Sequence, residues 1–318
     1  MTAKSQLGAA QESAFGTYVA PTRYYEFTGE GMTWDQERIE SRAWRAGTRV
    51  ISSSRWKPGG ISVAGNVDME VANQGFGLWF NNAFGAGTIT TPGTATARLH
   101  TFTLGDLVGK SMSIQAGIED RGGTALPFSF LGCKVQTFEF RCAVGELLTV
   151  SANVLGQDLA TAQALGTASY PSNQELFSFI EGTLTIAGGT VNVREFAMLV
   201  DNRLTDDFIF GSGQTREPTE PALRQVSGTF NADFVGLTEF NRFKNGTEAE
   251  LNLIFDTGTV IEGALTYKAE ITANVRYDGE TPSIDGPEAV NLPVAYTVTA
   301  PGAGEPVTLD YQTTDTSF

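Results

Sequence analysis

A chain of 318 residues can hold two ordinary domains, each burying its own core. A hydrophobic share of 41% with 21 Phe excludes a disordered chain, and 36 Gly with 12 Pro imply many turns. The formal charge of -15 speaks against generic nucleic-acid binding, which needs a basic surface to displace counterions from phosphate. The opening residues lack the apolar core of a secretory signal, and no stretch approaches the roughly 20 apolar residues of a membrane span. Synthesis in a cytoplasm and no membrane partner are the expectations.

Residues 1–22, small and polar with Gly8, Gly16 and Pro21, read as an N-terminal arm. Tyr24, Tyr25 and Phe27 begin a strand. Over residues 34–58 the alternation fails and charge takes over. Arg38, Arg42, Arg45, Arg49, Arg55 and Lys57 are six of the chain's 21 basic residues, interleaved with Trp44 and Trp56. A loop of this length is uncommon unless functional. A solvated excursion is the plain reading; a contact loop is the better one, because Trp and Arg anchor interfaces.

A strand over residues 60–71 and a helix over residues 74–84 follow. Phe76, Trp79, Phe80, Ala83 and Phe84 fall on one helical face, the pattern of core packing. Residues 85–97 read as a loop. Strands are predicted at 99–103, 110–117, 128–142 (bent near Gly132) and 147–155. Residues 158–174 read as a linker, then strands at 176–186 and 190–200. Residues 201–221 take the place that 34–58 held. After them come a strand at 226–234, a short helix and a strand at 248–255. Strict alternation from Tyr267 to Tyr277 marks the cleanest strand. A turn at 278–287, a strand at 290–299 and a C-terminal arm at 301–318 complete the chain. Many strands with few helices make the class α+β, mostly β.

One short plan occurs twice. Val67, Met69 and Val71 alternate with Asn66, Asp68 and Glu70; Phe230, Ala232 and Phe234 alternate with Thr229, Asn231 and Asp233. Each strand leads into a helical run, with Phe76 matching Leu237, Trp79 matching Phe240 and Gly85 matching Gly246. The expectation is two tandem β-sandwich or barrel units, residues 23–157 and 175–300, each with one flanking helix. The six alternating apolar side chains and the faces Phe76, Trp79, Phe80, Phe84, Leu237 and Phe240 are predicted to be core.

Reactive chemistry is sparse. His100 is the only histidine and lies in a strand pattern. Cys133 and Cys142, on one extended strand, would lie about 30 Å apart at ~3.3 Å per residue, so they cannot bridge. They read as buried, reduced thiols. No phosphate-binding or dinucleotide glycine motif is present. No catalytic residue, cofactor site or metal site is expected, and the chain does not read as an enzyme.

Several pieces, in order, resemble the tail tube (major tail) proteins of long, non-contractile-tailed bacteriophages, the siphophages. They are Gly8 to Arg23, Gln36-Glu-Arg-Ile-Glu-Ser41, Arg45-Ala-Gly47, Arg55-Trp-Lys-Pro-Gly59 and Leu131-Gly-Cys-Lys-Val135. The resemblance implies packed sheets flanked by a helix and rings of six tube folds. It also implies stacking of rings into a virion tail that conducts DNA without binding it, after assembly in the host cytoplasm. With two folds per chain, three chains would make a pseudo-sixfold ring, with six chains as the alternative. The tape measure protein in the lumen and the tail tip and terminator proteins are the implied further partners.

The family's inter-ring loop falls by position on residues 34–58, and so on Arg38, Arg42, Trp44, Arg45, Arg49, Arg55, Trp56 and Lys57; residues 201–221 are its second candidate. The rival readings are another tail or baseplate component, or a tandem β-sandwich carbohydrate-binding module with Trp34, Trp44 and Trp56 as its aromatic platform.

Overall fold

The computed structural model describes residues 4–278 and 291–318. In chain order the first elements are β1 (Gln6–Gln11), β2 (Arg23–Tyr25), β3 (Gly29–Glu30), β4 (Thr33–Glu40), β5 (Trp56–Glu70) and helix α1 (Gly77–Phe84). Then come β6 (Gly85–Thr90), β7 (Arg98–Leu104), β8 (Met112–Glu119), β9 (Ala125–Ala143), β10 (Thr149–Gly156) and β11 (Asp158–Ala160). The later elements are β12 (Gly182–Ile186), β13 (Gly189–Val191), β14 (Val193–Asp201), β15 (Gln225–Asp233), helix α2 (Thr238–Asn245), β16 (Ala249–Glu262), β17 (Leu265–Tyr277), β18 (Asn291–Val298) and β19 (Val307–Thr313). The protein is α+β and mostly β.

The same order of antiparallel pairings occurs twice. One run is β2–β1–β8–β9–β10–β5–β4. The other is β13–β12–β16–β17–β18–β15–β14. Register agrees: Val67 of β5 faces Ala152 of β10, and its counterpart Phe230 of β15 faces Val294 of β18. Gly65 and Gly228 stand at matching positions for one steric reason. A Cβ at Gly65 would meet the Gly31 carbonyl oxygen at 2.4 Å, and one at Gly228 the Ala197 carbonyl oxygen at 2.2 Å. At each place the neighbouring strand passes too close for a side chain.

The runs are joined through β9 and β14, which pair from Glu195↔Ala143 to Asp201↔Thr137. β9 is long enough to serve two neighbours because it bends at Gly132, where φ is +63°. Before the bend it pairs with β8 and β11; after it, with β10 and β14. The buried carboxylate of Glu12 braces this corner. It accepts hydrogen bonds from the hydroxyls of Ser111 (2.7 Å) and Ser113 (2.9 Å) and from the backbone N–H of Gly16 and Gly132 (2.9 Å each). A buried charge needs such a full set of donors.

One continuous core runs through the molecule, and α1 sits at its centre with every residue buried. The Phe80 ring lies 5.4–5.9 Å from those of Phe76, Phe102, Phe138, Phe140 and Tyr311. Val67, Met69, Val71, Phe76, Trp79, Phe84, Phe230 and Ala232 are buried. Phe234 is only half-buried, Phe240 likewise, and Leu237 is exposed, which corrects the expectation of a core role for all of them. The helix that carries the second face has no buried residue, and Glu239, Arg242 and Lys244 break up its apolar face.

Other expectations also change. Each predicted arm contains a core strand. β1 lies between β2 and β8, and β19 lies between β17 and β7. Residues 85–90, read as loop, form β6 against β7. The start of the predicted linker is β11, and within it the Gly166 N–H donates to the Gln115 side chain at 2.9 Å. The first helix begins at Gly77, three residues later than predicted. The regular strand expected from 176 begins at Gly182. The turn predicted at 278–287 lies, but for Asp278, outside the described residues.

Candidate assembly surface

Residues 34–58 are not a loop but most of a hairpin. β4 pairs with β5 from Thr33↔Ala64 to Glu40↔Trp56, with a register shift after Gln36, and residues 41–55 form its far end. Almost every residue from Thr33 to Pro58 is exposed. A ribbon with both faces wet has no apolar face to alternate, which is why it reads as irregular. Arg38, Arg42, Trp44, Arg45, Arg49, Arg55, Trp56 and Lys57 are therefore all on the surface. Trp44 is fully exposed, beside exposed Val50 and Ile51. The Arg38 guanidinium lies over the Trp56 ring at 5.7 Å, and Trp34 Nε1 donates to Asp158 at 3.1 Å. Among the described residues, none of the hairpin's six basic side chains has an ion-pair partner within the chain.

Residues 201–221 behave differently. Its two flanks fold back on the rest of the chain. Buried Lys134 donates to Glu217 at 2.7 Å, and the Gly109 N–H donates to the same oxygen at 2.7 Å. Asn202 donates to the carbonyls of Ala83 (3.0 Å) and Val135 (2.9 Å). Residues 205–214 at the segment's tip stay exposed, part of them against the hairpin. The Phe208 ring covers Gly60, the Ile61 N–H donates to the Gly213 carbonyl at 2.8 Å, and Phe210 is fully exposed. Sequence reasoning missed this tip; the signal was there as an apolar Phe208-Ile209-Phe210 run within an acidic loop. Lys134, a lone cation between apolar neighbours in a strand, was likewise the sign of a carboxylate partner.

The third surface is the sheet face opposite the core. Along β5, β10, β9, β14 and β15 it carries Asn66, Asp68, Glu70, Ser151, Asn153, Thr137, Glu139, Arg141, Glu195, Asp201, Asn231 and Asp233, all half-buried or exposed. Short polar contacts tie it together: Ser151 donates to Asp68 at 2.5 Å, Asn153 to Asn66 at 2.7 Å, and Arg141 pairs with Glu195 at 2.7 Å. It presents mostly acids, amides and hydroxyls, with Arg141, Ala197 and Leu199 among them and no aromatic ring.

None of the candidate reactive groups is poised to act. His100 is buried, its Nε2 lies 2.8 Å from the Asp315 carbonyl, and burial lowers its pKa. Both cysteines are free and buried. Burial, helped by the charge of Glu12, raises the Cys133 pKa; burial, helped by Glu146, pushes Cys142 up to about 11. Because the thiolate is the reactive form, only about a thousandth of Cys142 is reactive at pH 8. Native protein treated with a thiol reagent should therefore label slowly, with a rate rising about tenfold per pH unit between 7 and 9. Unfolded protein should label rapidly and level off near the ordinary thiol pKa. Rapid stoichiometric labelling of the native chain at pH 8 would contradict this placement.

No helix among the described residues is long and apolar enough to cross a membrane, and no cluster of three or more His, Cys, Asp or Glu among them could hold a metal ion. No curated protein matches the chain. The family model described as phage tail tube protein matches residues 2–298, nearly the whole length. The chain thus belongs to the phage tail tube protein family, a structural family of the virion tail.

Proposed function

We propose that this chain polymerises as rings of three, each ring pseudo-sixfold, and that stacked rings form the conduit for phage DNA. The observation that carries the reading is the strand order that occurs twice. Within the chain β14 pairs with β9 of the first run. Its counterparts β3 and β4 pair only with β5 among the described residues, so their outer edge is open. An open edge is an aggregation hazard unless it is used or covered. Pairing it with a neighbouring chain in the way β14 pairs with β9 repeats one rotation, and head-to-tail interfaces whose rotation closes make rings.

In such a ring the polar face of β5, β10, β9, β14 and β15 forms one continuous wall. Asp68, Glu70 and Glu139 on it repel a polyanion, and the absence of aromatic platforms removes stacking sites for bases. DNA then slides rather than binds. The basic hairpin projects from the body and suits carboxylates on the adjacent ring, where Arg–carboxylate pairs fix register as well as adding affinity.

Symmetry averaging of tubes assembled from purified protein tests the reading. Three chains per ring are expected. Six complete chains per ring, or particles that never close into rings, would overturn it.

A further inference from the structure

The two helices follow matching strands, β5 and β15, yet their surroundings are opposite. All eight residues of α1 are buried, and none of α2 is. Part of the cover on α1 comes from the flanks of residues 201–224. Asn202 Nδ2 donates to the Ala83 carbonyl at 3.0 Å, and Arg224 Nη1 donates to the Phe84 carbonyl at 2.9 Å. These two residues close the C-terminal end of the helix, where carbonyls are left without intrahelical partners.

The register identifies their counterparts. Val226 pairs with Val200, and Val63 pairs with Trp34, so Asn202 corresponds to Gln36 and Arg224 to Ile61. Both counterparts lie in the stem of the β4–β5 hairpin. That stem cannot reach α2 of its own chain in the way that residues 201–224 reach α1, because it stands at the opposite end of the joined sheet. An equivalent contact would come from another copy.

The surface around α2 suits such a visitor. Val235 and Leu237, leading into the helix, are 87% and 60% exposed. Phe240 and Phe243 are half-buried and line a cleft with Tyr277, Leu292 and Val294. Glu248 and Glu250, just past the helix, are exposed and acidic. The hairpin stem offers the complement: Ile39 is 55% exposed, and Arg38 and Lys57 are exposed cations. Adjacent apolar residues rimmed by charge mark an interaction surface more than they mark a solvated one.

We propose that α2 with its lead-in residues Val235 and Leu237 is the seat for the β4–β5 hairpin stem of a second copy, the neighbour within the same ring. The inference rests on the ring reading above and extends it with a residue-level contact. The hairpin's far end, residues 41–55, remains free to meet the next ring.

The test places a photo-activated cross-linking amino acid at position 237 of the otherwise unaltered full chain, in assembled tubes. Cross-links to residues 34–40 or 56–62 of a second copy are expected; cross-links only to other segments, or none, would overturn the seat. In parallel, the double variant Val235→Asp/Leu237→Asp should unfold at the wild-type temperature and remain monomeric by light scattering. A double variant that forms rings as the unaltered chain does, or that forms rings but not tubes, would also overturn it, the latter by moving the contact between rings. Failure of the unaltered chain to form rings would instead count against the ring reading itself.

Discussion

Replacing Phe80 by Ala is expected to destabilise the free subunit by about 3–5 kcal/mol, the usual cost of truncating a large aromatic in a packed core. The ring is fully buried, and its five aromatic neighbours are Phe76, just before α1, and residues of β7, β9 and β19. The cavity left would therefore open where segments from both ends of the chain meet, and rigid strands on several sides would resist collapse into it. Urea unfolding of the isolated subunit reads the effect as a lower midpoint at unchanged slope. The matched control is Phe234→Ala. Its ring is half-buried at the end of β15, so roughly 1–2 kcal/mol is expected from the smaller area returned to water. Equal losses for the two variants would mean that the core does not centre on α1.

How much of this was legible in the sequence depends on what each segment faces. β17 alternates from Tyr267 to Tyr277 because one face meets the core and the other does not, so its pattern named its C-terminal end and came within two residues of its start at Leu265. The repeat strands were legible for the same reason, and with them the polar face, since Asn66, Asp68, Thr229 and Asn231 had to point away from Val67 and Phe230. The hairpin was misread as loop because neither of its faces is covered. β1 was lost for the opposite reason. Leu7, Gly8, Ala9 and Ala10 are all buried, and a Cβ at Gly8 would come within 2.7 Å of Pro21, so crowding selects small residues that resemble a flexible arm.

β19 is a plainer case. Val307, Leu309 and Tyr311 alternate and are buried, so the signal was present among the polar residues of the supposed C-terminal arm. The difference between the helices was also present locally. The α1 residues Leu78, Trp79, Phe80, Ala83 and Phe84 suit burial all round, whereas α2 has Glu239, Asn241, Arg242 and Lys244 in the same stretch. The aromatic match of Trp79 with Phe240 gave the duplication but not the environment. By contrast, the in-chain role of residues 201–221 depends on Lys134 and Leu107, which lie far away in sequence and come near only once β9 bends.

Changing Arg42, Arg45 and Arg49 together to Glu is expected to leave a folded subunit that cannot build tubes. All three are exposed near the hairpin's end, away from the strand pairing of β4 with β5. Arg38 is left in place because its guanidinium covers Trp56 and its Nη1 donates to the Gln36 carbonyl at 2.8 Å, so its loss would disturb the hairpin itself. Exposed charges contribute only about 0–1 kcal/mol each to a subunit's stability, so thermal unfolding should be nearly unchanged. At a contact the outcome differs. Three reversed charges would face carboxylates on a chain whose formal charge is -15, and like charges brought together across an interface cost several kcal/mol. Raised salt should weaken stacking of the unaltered protein for the same reason, most steeply where the contacts stay wet. Particle counts by electron microscopy, with unfolding curves of the same preparations, decide it. Isolated rings with wild-type unfolding are the expected result. Normal tubes from the triple variant would remove the hairpin's far end from the stacking contact, and a subunit that no longer folds would make it part of the core structure instead.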